Sequence, residues 1–141
     1  MKCGVVIDTN VLISALRSKR GASYRLLMGI GQGHFDINIS VPLALEYEKS
    51  AKKIIDEIKL SSEDIDDVLD YICSIARPWK IFYLWRPFLK DPKDDMVLEL
   101  AVASKSDFIV TYNKKDFEGA GHFGVKVVTA NEFLKKIGGL Q

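Results

Sequence analysis

The stretch Cys3-Gly4-Val5-Val6-Ile7-Asp8-Thr9-Asn10-Val11-Leu12 decides the fold that we expect for this chain of 141 residues. Its first half is a short apolar run rich in β-branched residues, which is typical of a buried strand. Its second half opens a helix that Asp8 or Thr9 can cap. A buried strand that passes through an acidic residue into a helix is typical of α/β proteins, in which ligands bind at the carboxyl ends of parallel strands.

Strands and helices continue to alternate along the rest of the chain. Further strands are predicted at Asp36–Ser40, Trp79–Trp85, Phe108–Thr111 and Val125–Val128. Helices are predicted from Pro42 to Ile55, from Ser61, where Asp64 completes a capping box, from Met96, and after Thr129, where Glu132 completes a second capping box. We therefore expect one domain over residues 1–141, of the α/β class, with three α/β/α layers around a mostly parallel sheet of about five strands.

The composition excludes several classes of protein. Lys and Arg number 20 and Asp and Glu number 19, and the resulting net charge of +1 argues against a basic protein that coats nucleic acid. Two histidines and two cysteines, without a Cys-x-x-Cys motif, indicate neither a zinc site nor a disulfide framework. We recognise no targeting segment and no membrane span, and the free thiols favour the reducing cytoplasm.

Acidic residues follow a predicted strand or open the next helix at four places in the chain. These places are Asp8, Glu46, the group Asp91, Asp94 and Asp95, and the pair Asn113 and Asp116. Each has a simpler explanation on its own. Asp8 and the Asp91 group can cap helices, Glu46 can pair with Lys49 or Lys53, and Asn113 can form an Asx turn.

The four places, taken together, are more informative than any one of them alone. Asp8 is the only acid among the first 34 residues, and Glu46 lies at the edge of the apolar stripe of its helix. Carboxylates that lie close together repel one another unless a cation lies among them. Acidic ligands without histidine or cysteine suit a hard ion such as Mg²⁺ or Mn²⁺.

Four segments of the chain resemble the PIN-domain ribonucleases, the family that includes VapC-like toxins of bacterial and archaeal toxin–antitoxin pairs. The segments are Val5–Leu12, Ser40–Glu48, Asp91–Ala101 and Val110–Phe117, and their order and spacing agree with those of the family. The resemblance implies a PIN-like fold and cleavage of RNA with Mg²⁺ or Mn²⁺. It also implies a homodimer and inhibition by a partner antitoxin.

The resemblance also assigns roles to individual residues. It implies Asp8, Glu46 and Asp95 as the catalytic, metal-binding acids, completed by Asp116. The spacing to Val110-Thr111 favours Asp95, and Asp94 remains the alternative. Side chains that would support the first acid or orient a ligand or water are Thr9, Asn10 and Asn113. Candidate phosphate contacts, each equally well explained as solvated surface charge, are Arg17, Lys19, Arg20, Lys114 and Lys115.

The function that we expect is therefore a metal-dependent endoribonuclease, the toxin of a toxin–antitoxin pair. Two other hypotheses belong to different classes. One is a catalytically silent PIN-like module that binds RNA or a protein partner, against which the intact set of acids argues. The other is a phosphotransfer domain that uses Asp8, but Asn10 stands where such a domain needs its second acid.

Overall fold

The computed structural model describes residues 2–81 and 89–138. The strands are β1 (Cys3–Ile7), β2 (Phe35–Ser40), β3 (Arg77–Trp79), β4 (Phe108–Val110) and β5 (Lys126–Val128). The helices are α1 (Thr9–Arg17), α2 (Ala22–Gly29), α3 (Val41–Lys53), α4 (Ser62–Ile75), α5 (Pro92–Ala103) and α6 (Ala130–Lys136). The strands form one sheet in the order β3-β2-β1-β4-β5, with every pairing parallel, which confirms the predicted α/β class.

Helices cover both faces of the sheet. Val5, Val6 and Ile7 on the central strand β1 are all buried, although neighbouring side chains of a strand point to opposite faces. Helix α5 packs on β1, β2 and β4, whereas α1 packs against α2 and α3. Because crossover connections are right-handed, the connections that lead to β2 and β3 lie on one face and α5, which returns in the other direction, lies on the opposite face. The molecule therefore has the expected three layers.

The strand order reverses at β1, and this reversal positions the site. From β1 the chain proceeds to β2 and β3 on one side, and α5 then carries it back to β4 on the other side. The crevice between the carboxyl ends of β1 and β4 is therefore the topological switch point, where open α/β sheets bind ligands. Asp8 directly follows β1, and its N–H donates to the Val110 carbonyl oxygen of β4 at 2.9 Å.

Helix α5 begins at Pro92, four residues before the predicted start at Met96. Asp91 caps it, since its side chain accepts the Lys93 N–H at 2.9 Å. Proline at the first helical position has no N–H that would need a partner there. As predicted from its apolar character, the helix is buried on more than one side, and even Glu99 is only 7% exposed. The early start places Asp94 and Asp95 in its first turn.

The predicted strand Trp79–Trp85 is wrong in its position. Strand β3 covers Arg77–Trp79, Lys80 and Ile81 lie outside any strand, and the remainder of the predicted strand, residues 82–85, lies outside the described residues. Strand β3 includes Pro78, which has no N–H to donate to a sheet. Strand β3 is an edge strand, however, where one side needs no hydrogen bonds and proline is tolerated.

The local end signals of the other helices agree closely with the structure. Both predicted capping boxes form, with reciprocal bonds between Ser61 and Asp64 and between Thr129 and Glu132. Helix α3 ends at Lys53, two residues before the predicted end at Ile55. Among the helices within residues 2–81 and 89–138, none combines the length and apolar character that crossing a bilayer requires.

Candidate functional site

A cleft of about 170 Å³ opens at the carboxyl ends of β1 and β4. Besides Asp91, which caps α5, four acidic residues line it, namely Asp8, Glu46, Asp94 and Asp116. They come from α1's cap, from α3, from the first turn of α5, and from the turn after β4. The fold thus brings together at least one acid from each of the four places that the sequence marked.

Asp8 is the most buried of these four acids and is 9% exposed. One carboxylate oxygen accepts the Thr9 N–H at 2.8 Å and the other accepts the Thr111 hydroxyl at 2.8 Å. Burial raises the pKa of Asp8, and the charges of Asp116 and Glu46 raise it further, against the lowering effect of the two hydrogen bonds. Asp8 is therefore both the helix cap and a member of the acidic cleft.

Glu46 lies where the helical spacing predicted, at the edge of the buried stripe of α3. Leu43, Tyr47 and Ala51 are the buried residues of this helix, while the Glu46 side chain is 15% exposed. Its Oε1 accepts the Ser50 hydroxyl at 3.0 Å and lies 3.5 Å from the Lys93 ammonium. The ion pair is thus made with a residue of α5 rather than with the expected Lys49 or Lys53.

Asp94 and Asp95 have different surroundings. Asp95 is 8% exposed, and its Oδ1 accepts the Leu89 N–H at 2.8 Å, so this side chain faces the preceding segment rather than the cleft. Asp94 lines the cleft, and partial burial together with the charges of Asp8 and Asp116 raises its pKa to about 6. The geometry favours Asp94 over the Asp95 that spacing had favoured, because successive residues of a helix point about 100° apart.

Thr111 is a site residue that the sequence analysis missed. It is fully buried at the end of β4 and donates its hydroxyl to Asp8. The same oxygen accepts the Asn10 side-chain amide at 3.3 Å and the Asn113 N–H at 3.1 Å. Thr9, as predicted, contacts Asp8, but through its backbone N–H. Asn10 acts on Asp8 indirectly, through its hydrogen bond to Thr111. A hydroxyl residue at the end of an apolar strand was the available signal.

The turn after β4 carries Asn113 and Asp116 to the cleft. Asn113 precedes a 3-10 turn, Lys114–Phe117, and both Asn113 and Asp116 line the cleft. The Asp116 N–H donates to the Asn113 carbonyl oxygen at 3.0 Å, which closes the turn. Phe117 is buried and anchors the turn to the core.

The five predicted phosphate contacts are distributed unevenly. Arg17 lies nine residues along α1 from Asp8, about 13 Å at 1.5 Å per residue, and pairs with Glu57 at 2.7 Å. Lys19 and Arg20 follow it in an exposed loop. Lys114 pairs with Glu132 at 3.1 Å. Lys115 lines a groove of about 510 Å³ that shares Asp91, Asp94 and Asp116 with the cleft, so it lies best for a phosphate next to the acids.

The residues of the cleft fit a hard divalent cation in their chemistry. Their donor atoms are carboxylate and amide oxygens, and Asp8 and Asp94 have raised pKa values that a nearby cation would lower. Within the described parts of the chain, no three acidic, imidazole or thiol side chains already stand in metal-binding geometry. A cation held by three of the carboxylates would therefore require some of them to move toward it.

The chain belongs to the PIN domain family, whose model matches residues 4–115. The matched range contains the cleft acids Asp8, Glu46, Asp91 and Asp94, and Asp116 lies one residue beyond it. No protein with a curated description matches the chain at a significant level.

Two solved structures share the fold. One is VapBC2 from Rickettsia felis bound to a DNA fragment from their promoter, with 18% identity, coverage of 88% of this chain and 96% of that chain, and a TM-score of 0.60. The other is VapBC-1 from nontypeable Haemophilus influenzae, with 13% identity, coverage of 91% and 98%, and a TM-score of 0.60. Identities this low establish a common fold and nothing more.

Proposed function

We propose that this chain is a metal-dependent endoribonuclease that hydrolyses RNA phosphodiester bonds. The observation that carries the proposal is the meeting of Asp8, Glu46, Asp94 and Asp116 in one cleft, at the switch point of a PIN-family fold. Four acids gathered from distant segments destabilise the folded protein through mutual repulsion unless a cation compensates them. Asp94 takes the place that spacing assigned to Asp95, because Asp94 lines the cleft and the Asp95 side chain is directed toward the Leu89 N–H instead.

Asp8, Glu46 and Asp94 would hold Mg²⁺ or Mn²⁺, with Asp116 completing the set. When bound, the ion supplies positive charge next to the phosphodiester and lowers the pKa of a water molecule. The chain itself contributes orientation, because Thr111 and the Thr9 N–H fix both oxygens of Asp8. Asn113 offers an amide in the cleft that can hold a water or a ligand, and Lys115 offers a charge for a neighbouring phosphate.

The experiment that tests this function compares RNA cleavage by the wild type and Asp8→Asn. We expect cleavage with Mg²⁺ or Mn²⁺, none in EDTA, and a loss of more than about 100-fold in the variant, since even residues that merely support a metal ligand are worth 10–100-fold. Asp70→Asn, an exposed acid of α4, is the control and should cleave as the wild type does.

Two results would contradict the proposal. An Asp8→Asn variant that cuts as well as the wild type removes the assignment of the acids. RNA binding that is insensitive to EDTA and leads to no cleavage favours instead the silent module that binds without cutting.

We further propose that the chain acts as the toxin of a toxin–antitoxin pair and forms a homodimer. The two solved structures described above are of proteins named VapBC, and the sequence resembles VapC-like toxins. Expression of the wild type in a bacterial host should arrest growth, and Asp8→Asn should not. Co-expression with the product of the adjacent gene should relieve the arrest, and unrelieved arrest contradicts the pairing.

The homodimer is tested by light scattering, which should give twice the mass of the chain. A monomeric mass contradicts the dimer.

A further inference from the structure

Tyr112 is an exposed aromatic residue beside the cleft that has no part in the proposed chemistry. It stands between Thr111, which is fully buried and bonded to Asp8, and Asn113, which lines the cleft. With 43% of its surface exposed, it offers part of an aromatic side chain to solvent next to these two residues.

Tyr112 is held by hydrogen bonds at its backbone and at its hydroxyl group. Its backbone N–H donates to the Asn10 Oδ1 at 3.3 Å, and Asn10 also lines the cleft. Its hydroxyl forms a hydrogen bond with the hydroxyl of Ser23 on α2, which is only 2% exposed. A ligand that contacts this ring therefore loses little free energy in ordering it.

We propose that Tyr112 is a stacking platform for an unpaired base of the RNA next to the cleft. This inference rests on the proposed ribonuclease function. A base within a duplex already stacks on its neighbours, whereas an unpaired base can turn out and stack on an aromatic side chain. Stacking also supplies an attraction that needs no positive charge, which matters beside a cleft whose acids repel phosphate.

Two substitutions separate stacking from a structural role of Tyr112. Tyr112→Phe keeps the ring and removes only the hydrogen bond to Ser23, and Tyr112→Leu removes the ring. Tyr112→Trp offers a larger ring and should restore what leucine loses. The matched control is Tyr71→Leu, because Tyr71 on α4 is 48% exposed and its hydroxyl is also hydrogen-bonded, as the donor to the Ile30 carbonyl oxygen at 3.1 Å.

The test measures binding of fluorescently labelled oligouridylate of about 12 nucleotides by anisotropy, in an Asp8→Asn background that prevents cleavage. We expect Tyr112→Leu to weaken binding about 10-fold and Tyr112→Phe, Tyr112→Trp and Tyr71→Leu to stay within about twofold, given what one stacked base contributes. An abasic oligomer of the same length and an RNA duplex should bind the leucine variant and its parent equally. Thermal unfolding of each variant verifies that it is folded.

Three outcomes overturn the stacking role: unchanged binding by Tyr112→Leu, an equal loss with the abasic oligomer, or a loss in Tyr112→Phe as large as in Tyr112→Leu. Failure of the ribonuclease function is seen separately, as absence of metal-dependent cleavage by the protein with Asp8 intact. If binding depends on base stacking at Tyr112 but the protein shows no such cleavage, the stacking role stands and only the proposed reaction is rejected.

Discussion

Both oxygens of the Asp8 carboxylate accept hydrogen bonds, one from the Thr9 N–H and one from the Thr111 hydroxyl. A cap and a cleft acid had been competing explanations for this residue, and the structure shows that one carboxylate fills both positions. The two donors fix the rotation of the side chain, and each oxygen keeps a further lone pair. Preorganisation of this kind is what a metal ligand requires of its surroundings.

At the residue scale, the first prediction concerns Thr111. Thr111→Val keeps the shape of the side chain but removes the hydroxyl that lowers the pKa of Asp8, and it leaves the Asn10 amide and the Asn113 N–H without their acceptor. We expect the affinity for Mn²⁺, measured by calorimetry, to fall about 10- to 100-fold. Thr111→Ser retains the hydroxyl and should bind as the wild type does. Equal affinity in the valine variant would mean that the hydroxyl does not orient Asp8.

The second prediction concerns the ionisation of Asp94. Its pKa of about 6 in the folded protein exceeds its ordinary value of 3.8, so the folded state binds more protons than the unfolded chain between these values. Stability is therefore lost as the pH rises through that window and remains lower above it. Asp94→Asn should raise the free energy of unfolding in EDTA near pH 7.5 by about 1 kcal/mol, less than the full shift because the side chain is partly exposed and screened by solvent. Near pH 4 the difference should vanish.

Thermal unfolding checks this prediction, with an expected rise in Tm of roughly 3 °C for a chain of this size. Added Mn²⁺ should stabilise the wild type and make its Tm higher than that of Asp94→Asn, because the variant has lost a carboxylate of the cleft. Asp70→Asn serves as the control for removal of an exposed acid. A variant that gains as much stability at pH 4 as at pH 7.5 would show that repulsion is not the cause.

At the scale of elements, Tyr47 joins α3 to β1. It is 1% exposed, and its hydroxyl donates to the carbonyl oxygen of Ile7, the last residue of β1. Burial raises its pKa far above the usual range, so the phenol stays protonated and keeps donating. Since Glu46 precedes Tyr47 and Asp8 follows Ile7, this one bond links the two elements that carry the first two acids.

The prediction at this scale is that Tyr47→Phe costs about 1–3 kcal/mol of unfolding free energy, because the variant leaves a buried carbonyl unpaired. Urea unfolding measures this cost, and the affinity for Mn²⁺ should decline with it as the spacing of Asp8 and Glu46 loosens. Tyr71→Phe loses a similar bond at a more exposed position and should cost less. Equal costs in the two variants would argue that the Tyr47 bond adds nothing beyond an ordinary one.

At the scale of the whole molecule, the net charge of +1 is an average over unlike regions. Acids line the cleft. Three basic residues that lie near the cleft or were predicted to contact phosphate already form ion pairs, Arg17 with Glu57, Lys93 with Glu46, and Lys114 with Glu132. Lys115 faces the groove beside the acids. The binding of RNA should therefore involve few phosphate contacts and depend on the ion in the cleft.

This charge distribution predicts how RNA affinity responds to salt. Lys115→Gln should weaken binding and make the slope of log K against log salt shallower by about 0.7, the value for one phosphate contact on a single strand. Arg17→Gln should leave both quantities unchanged, since Arg17 lies at the far end of α1 and is paired. Anisotropy titrations over a range of salt concentrations measure both. An effect of Arg17→Gln equal to that of Lys115→Gln would place the RNA along α1 instead.

The sequence by itself determined the features that depend on neighbours along the chain. The apolar run before Asp8, both capping boxes, the buried stripe of α3 and the four acidic places follow from local periodicity and end signals, and these act within a few residues. The alternation of strands and helices then implied the parallel sheet.

Only the tertiary structure decided the features that depend on contacts between distant segments. Pro78 is compatible with β3 because the packing order leaves that strand at an edge, which no local pattern reveals. The choice of Asp94 for the cleft follows from the helical phase at which α5 docks on the sheet, and the role of Thr111 follows from the pairing of β4 beside β1. The groups that surround a carboxylate are often far away from it in sequence, and only the packing of the folded chain brings them next to it.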